Sequence, residues 1–107
     1  MGGERPSSAV NFAFLEGYAA GDRTLVREVL AVFRAEAAEW SASLDGQAAD
    51  WRFVVHTMKG TARTIGAEML GDLCEQAEED GAASLPRVRA ALESVLDEIE
   101  AYCGPRP

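Results

Sequence analysis

The sequence predicts an all-α fold: an antiparallel up-down four-helix bundle with a short additional N-terminal helix. Three observations lead to this prediction. Four long segments carry apolar residues at steps of three and four, the spacing of one helix face. No segment shows the two-residue alternation of a strand bounded by hairpin turns. The 107 residues, 48% of them hydrophobic, suffice for one compact domain and are too few for two.

Both ends of the chain are predicted to be flexible tails. Residues 1–10 are small and polar, and residues 104–107 contain two prolines. The bundle is expected over residues 11–103. Its short first helix is predicted within the apolar stretch from Asn11 to Ala20, where it would cover one open end of the bundle.

The second helix is predicted to begin after Asp22, a capping residue, and to end near the turn signal Asp45-Gly46. One apolar stripe connects these points and is expected to face the core: Leu25, Val29, Val32, Phe33, Ala37, Trp40 and Leu44. The third helix is predicted from Gln47 to Ile65, before Gly66. Its stripe consists of Trp51, Val55, Met58, Ala62 and Ile65.

The fourth helix is predicted from Ala67 to Asp80, and Ser84 is expected to cap the fifth. In the fourth helix the residues expected inside are Leu70, Leu73, Cys74 and Ala77, and those outside are Glu75, Glu78 and Glu79. The fifth helix has the spacing of an antiparallel bundle seam, with Val88, Leu92, Val95, Ile99 and Tyr102.

Composition excludes several classes of protein. The formal net charge of −8 opposes binding to the phosphate backbone of nucleic acid. No apolar run approaches the roughly 18 to 20 residues of a membrane span, and the first residues lack a secretory signal pattern. Cys74 and Cys103 make no disulfide framework. These features predict a cytoplasmic protein that binds neither nucleic acid nor membranes.

Positive charge is concentrated in one segment. Residues 47–65 carry Arg52, Lys59 and Arg63 against a single acid, a net charge of +2, so the rest of the chain carries −10. The segment also contains the only histidine, His56, and the only lysine. At about 100° per residue, His56 lies roughly 140° from Trp51 and the apolar stripe, so it is expected to face solvent beside the cations.

Gly60 is the second unusual feature of this segment. Glycine inside a helix costs about 1 kcal/mol relative to alanine, so its presence needs a reason. Four residues after His56, it would leave the approach to the imidazole open for a large partner. The alternative, a helix kink or a close helix contact, is disfavoured because Gly60 faces away from the stripe.

The cations near His56 suggest a ring that becomes negatively charged. Lys59 and Arg63 would attract a phosphoryl group carried by the imidazole, although a solvated polar face is the plain alternative. No metal site is predicted, because one histidine and two distant cysteines cannot converge. The sequence has no activated nucleophile and no phosphate-binding glycine loop, so neither a cofactor nor ATP binding is expected.

The segment His56-Thr57-Met58-Lys59-Gly60 resembles the HxxKG signature of histidine-containing phosphotransfer (HPt) domains. The resemblance extends through the small-residue stretch Thr61 to Ala67 and the pattern Leu70, Leu73, Cys74, Glu75. Upstream, Gly21-Asp22 resembles the start of the family's second helix. About residues 11–80 match well, and the last helix matches only in type.

The resemblance implies a monomeric phosphoryl carrier of two-component signalling rather than an enzyme. It would accept phosphoryl groups from, and pass them to, receiver domains of a hybrid histidine kinase and a response regulator. His56 would be the phosphoacceptor through Nε2, Lys59 would stabilise the phosphoryl charge, and Gly60 would keep the approach clear. Glu78 or Gln76 would orient the ring. Magnesium would come from the receiver.

For docking of the receiver we expect an apolar centre ringed by charge, with Phe53 and Gly60 in the middle and Arg52, Lys59 and Arg63 beside them. The alternative for Phe53 is a core position under the short first helix. Three other functions are alternatives to this one. A sensor-kinase dimerisation domain would resemble H-E-x-x-[TN]-P, which is absent. A metal-binding bundle would need carboxylates facing the core, and the apolar stripes contain none. A helical interaction module without phosphorylation (a pseudo-HPt) remains the main alternative.

Overall fold

The computed structural model describes residues 9–103. It contains five α-helices and one 3-10 turn: α1 (Phe12–Tyr18), α2 (Arg23–Ser41), α3 (Trp51–Thr64), α4 (Glu68–Asp80), the turn Ala82–Ser84, and α5 (Leu85–Cys103). No strand occurs between residues 9 and 103, as predicted. In that same range, none of the helices has the length and apolar character needed to cross a membrane. The all-helical prediction is confirmed.

Side-chain caps mark the starts of α1 and α2, whereas α3 and α4 begin without one. Asp22 accepts a hydrogen bond from the backbone N–H of Leu25, as its position predicts. The predicted start of α3 at Gln47 is wrong, because the helix begins at Trp51. The Asp45 carboxylate accepts hydrogen bonds from the N–H groups of Gln47 and Ala48. This local alternative to helical bonding keeps the segment in a turn.

The inward face of α2 differs from the predicted stripe. Val26 and Leu30 are fully buried, whereas Leu25 and Val32 are 42% and 58% exposed. The helix carries apolar residues around more than half of its circumference, so periodicity alone does not select the inward side. In α3, α4 and α5 most predicted stripe residues are buried, although Trp51, Leu73 and Tyr102 are only partly so.

Four helices share this core in a closed order of contacts. α2 packs on α3, α3 on α4, α4 on α5, and α5 on α2. This order is consistent with the predicted antiparallel bundle. α1 packs at the end where α3 stops: the N–H of Asn11 donates to the carbonyl of Gly66, and Phe12 stacks on Tyr102 with ring centroids 4.3 Å apart.

Ala9 and Val10, which were predicted to belong to a flexible tail, are held against the bundle. The N–H groups of Ala9 and Val10 donate to the Glu98 carboxylate at 2.8 and 3.0 Å, and Val10 is buried. The partner carboxylate lies 88 positions away from Val10, so no local pattern could indicate this anchor. The remainder of the predicted tail, residues 1–8, and the predicted tail 104–107 lie outside the described residues.

Candidate functional site

His56 lies on the solvent-facing side of α3, with 68% of its side chain exposed. This is the placement that the helical spacing predicts, because Val55 and Met58 turn the opposite side of the helix into the core. The ring is therefore accessible to a partner. Its environment is set by two neighbouring helices, α4 and α2.

On the α4 side, one carboxylate contacts two functional groups of α3. Glu78 Oε2 lies 2.7 Å from His56 Nδ1, and Glu78 Oε1 accepts a hydrogen bond of 2.6 Å from Lys59 Nζ. Gln76, the other residue considered for this position, is exposed and does not make this contact. The bond from Lys59, reinforced by His56, holds the pKa of the Glu78 carboxyl below its ordinary value.

The contact with Glu78 determines which nitrogen of the neutral ring carries the proton. An ionised carboxylate only accepts hydrogen bonds, so His56 Nδ1 must be the donor. In the neutral imidazole the other nitrogen, Nε2, then carries the free lone pair. The exposed ring consequently presents Nε2 as its nucleophilic atom.

Gly60 leaves open space beside the ring. Apart from its own helix and chain neighbours, a Cβ built at this position would meet nothing within 4 Å among residues 9–103. No neighbouring helix packs against it, so the alternative of a close helix contact is wrong. A substituted side chain at position 60 would project into solvent near His56, one turn along α3.

A groove of about 630 Å³ opens between α2 and α3 beside His56. Sequence reasoning missed its α2 wall, because Val32 was assigned to the core. The surplus of apolar residues on α2 was the available signal, since one buried stripe does not need them all. Residues lining the groove include Val29, Val32 and Glu36 from α2 and Thr57, Gly60 and Thr64 from α3.

Arg63 is directed away from the imidazole, in contrast to its predicted supporting role. Its Nη2 donates to Asp72 at 3.0 Å and to Glu75 at 2.9 Å, both on α4. A Cβ at Gly71 would lie 2.8 Å from Arg63 Cγ, so the glycine makes room for the arginine stem. Arg63 is thus an ion-paired residue that joins α3 to α4.

The two predicted docking residues have different environments. Phe53 is 72% exposed, so the alternative that places it in the core is wrong. Arg52 is also exposed, but its Nη1 donates to the backbone carbonyl of Glu78 at 2.9 Å. Its guanidinium lies over the Trp51 ring, 4.7 Å from the centroid. Arg52, on α3, therefore contacts α4 at Glu78, the residue that also binds His56.

Other chemistries find no support in the described part of the chain. No three metal-ligating side chains between residues 9 and 103 come close enough to hold an ion. Burial raises the pKa of the Cys74 thiol to about 12, so this cysteine is a core residue rather than a nucleophile.

Comparison with known proteins matches these features to a family. Residues 28–102, which include His56, Lys59, Gly60 and Glu78, match the model of the Hpt domain. This chain belongs to the Hpt domain family. Its structure is similar to the crystal structure of histidine phosphotransferase ShpA from Caulobacter crescentus. The two are 47% identical, the match covers 89% of this chain and 90% of that chain, and the TM-score is 0.79.

No curated protein matches this Hpt chain significantly. Family membership supports a role in phosphotransfer within two-component signalling. Hpt proteins are phosphoryl carriers that interact with receiver domains and are not kinases, in agreement with the role expected from the sequence.

Proposed function

We propose that this Hpt domain accepts a phosphoryl group on Nε2 of His56 from the aspartyl phosphate of one receiver domain and transfers it to the aspartate of another. The observation that carries the proposal is the single exposed histidine whose Nδ1 is bound by Glu78 and whose approach is open above Gly60. A receiver of a hybrid histidine kinase is the proposed donor, and a receiver of a response regulator is the proposed acceptor.

The proton on Nδ1 simplifies the chemistry of the transfer. The Nε2 lone pair forms the new N–P bond while the P–O bond of the aspartyl phosphate breaks and the carboxylate leaves. Because Nδ1 keeps its proton, the phosphorylated ring is cationic and remains beside the Glu78 carboxylate. In the onward step the N–P bond breaks and the ring leaves as a neutral imidazole, so no proton transfer is needed in either direction.

Lys59 has a more indirect role in this proposal than the sequence predicts. Its ammonium group is bound to Glu78, and its side chain is only 21% exposed. An uncompensated carboxylate beside the ring would repel an incoming phosphoryl group. Lys59 offsets that charge. Magnesium and most of the charge neutralisation at the phosphorus come from the receiver. Positioning of the reacting groups and charge neutralisation account for most of the catalysis in phosphoryl transfer.

The proposed docking surface is the groove between α2 and α3 together with Phe53. An apolar patch beside a reactive group is the usual centre of a protein interface, and Val32 and Phe53 supply exposed apolar area close to His56. Lys59 and Arg63 form ion pairs with α4, so they offer less free charge to the receiver than the sequence predicts. Glu36 on the rim favours a basic residue on the partner.

Incubation with a receiver carrying labelled aspartyl phosphate tests the proposal. The chain is expected to take up label that survives base and is lost in acid, the behaviour of a phosphoramidate. This lability identifies a phosphoramidate, and phosphohistidine recovered after alkaline digestion would place the phosphoryl group on His56, because it is the only histidine. Stable receiver binding without label would instead favour the interaction module that lacks phosphorylation.

A further inference from the structure

Three consecutive contacts on one face of α3 converge on a single residue of α4. Arg52, His56 and Lys59 are spaced by four and three positions, so they lie one above another on the helix. All three bind Glu78: His56 and Lys59 through its carboxylate, and Arg52 through its backbone carbonyl at 2.9 Å. Residues of α3 therefore bind both the backbone carbonyl and the side-chain carboxylate of Glu78.

The carbonyl that Arg52 binds belongs to the last turn of α4. This helix ends at Asp80, and the last four carbonyls of a helix have no intrahelical donor. A guanidinium is a good substitute donor near a helix C-terminus, where its positive charge is also favourable. The Trp51 ring beneath the guanidinium helps to orient it toward α4.

A small displacement of the last turn of α4 would affect the two carboxylate contacts unequally. The lysine side chain has four methylene groups and can follow Glu78 over an ångström or more. The imidazole has only two side-chain torsions and is held close to α3. The contact between Glu78 and His56 Nδ1 is therefore the more sensitive of the two.

We propose that Arg52 is a positioning residue for phosphotransfer: it fixes the main chain of Glu78 so that the Glu78 carboxylate stays on Nδ1 of His56 and Nε2 remains the nucleophilic atom. The inference rests on the proposed function of His56 and assigns Arg52 a role within the Hpt domain itself. Arg52 was predicted to act only by contacting the receiver.

Nitrogen NMR of the isolated domain tests this proposal directly, because the 15N signals of the single imidazole report which nitrogen carries the proton. Arg52→Met keeps an apolar stem over Trp51 and removes the donors. We expect the neutral ring of the variant to shift from the Nδ1–H form toward the Nε2–H form. Phosphoryl uptake from a receiver should fall by roughly fivefold, the size of one lost hydrogen bond. Arg52→Lys, which keeps a cationic donor group, should restore part of both effects.

Arg89→Met is the matched control. Arg89 also donates to a backbone carbonyl of another helix, that of Ser41 at 3.3 Å, but it joins α5 to α2. Its loss should leave the proton on Nδ1 and the transfer rate unchanged. The same shift in Arg89→Met would mean general loosening of the fold and would overturn the proposal.

The receiver-free measurement separates positioning from docking. If Arg52→Met transfers slowly but keeps its proton on Nδ1, Arg52 contacts the receiver and the positioning role is wrong. If neither quantity changes, the hydrogen bond to Glu78 has no consequence for the site. Failure of the parent protein to take up label would contradict the proposed function instead, and the NMR comparison would still decide whether Arg52 positions Glu78.

Discussion

The two flanks of α3, one facing α4 and the other facing α2, differ in chemical character although they lie on the same helix. On the flank toward α4, Lys59 and Arg63 form ion pairs with carboxylates, and Arg52 binds a carbonyl. On the flank toward α2, Gly60 and threonines face an open groove with exposed Val32. His56 lies between the two flanks.

This difference assigns separate tasks to the two flanks. We infer that the hydrogen bond to Glu78 on the α4 flank keeps the proton of the neutral imidazole on Nδ1, which is a property of the isolated domain. The α2 flank leaves apolar area and free space, which a partner can use. Changes on the α4 flank should therefore alter the ring in the absence of a receiver, whereas changes on the α2 flank should act only when a receiver is present.

Removal of the residue between the flanks should have the largest effect. His56→Gln is expected to abolish phosphoryl uptake from a receiver, because the nucleophile is lost. The exposed position should keep the change in unfolding free energy under about 0.5 kcal/mol. Label transfer and thermal melting measure the two effects. Uptake by the variant would place the acceptor elsewhere, and a large loss of stability would contradict the exposed placement of the ring.

A bulky residue on the α2 flank should slow transfer while leaving the ring unchanged. Gly60→Gln is expected to reduce the rate by about tenfold or more, the scale on which a misplaced reacting group matters. Gly60→Ala is the control: its Cβ meets no neighbour, so transfer should persist and stability should rise by up to about 1 kcal/mol. Transfer at the parental rate in the glutamine variant would refute the open-approach argument.

Two equally exposed apolar residues, one in the groove and one outside it, allow the groove to be compared with the rest of the surface. Val32, in the groove, and Met69, at the start of α4, are both 58% exposed. Val32→Glu should weaken receiver binding several-fold, because it places a charge in the apolar centre of the proposed interface, whereas Met69→Glu should not. Titration calorimetry with an unphosphorylated receiver measures both. Equal losses in affinity would show that the groove is not the docking surface.

The smallest effect concerns the charge on the α4 flank. The lowered pKa of Glu78 means that its contribution to stability is present above the ordinary carboxyl range and is lost as pH falls through the lowered value. Glu78→Gln should therefore cost roughly 0.5–1 kcal/mol near neutral pH, as expected for a partly exposed ion pair. The cost should shrink as the pH is lowered from about 7 to about 3.

Glu79→Gln provides the comparison for this pH series. Glu79 is the exposed neighbour of Glu78 on α4, so its replacement should change stability little at any pH in the series. Chemical denaturation of the parent protein and the two variants across the pH range measures the differences in unfolding free energy. A cost for Glu78→Gln that stays constant down to the acidic end would rule out ionisation of this carboxylate as its source.

The sequence by itself determined most of the local organisation of this Hpt domain. The apolar spacing predicted the five helices found between residues 9 and 103, Asp22 marked the start of α2, and the angle between His56 and the α3 stripe predicted the exposed ring. Gly60 predicted the open space that the structure shows at this position. These features depend on positions within one helix, where residue spacing defines direction because the rotation per residue is constant.

Only the tertiary structure decided which residues from different helices meet. It selected Glu78 rather than Gln76 as the partner of His56, directed Arg63 to Asp72 and Glu75, and exposed Val32. Each outcome depends on how one helix is rotated about its axis and shifted along its neighbour. Side-chain packing across the whole core sets those two quantities, so no single stretch of sequence contains them.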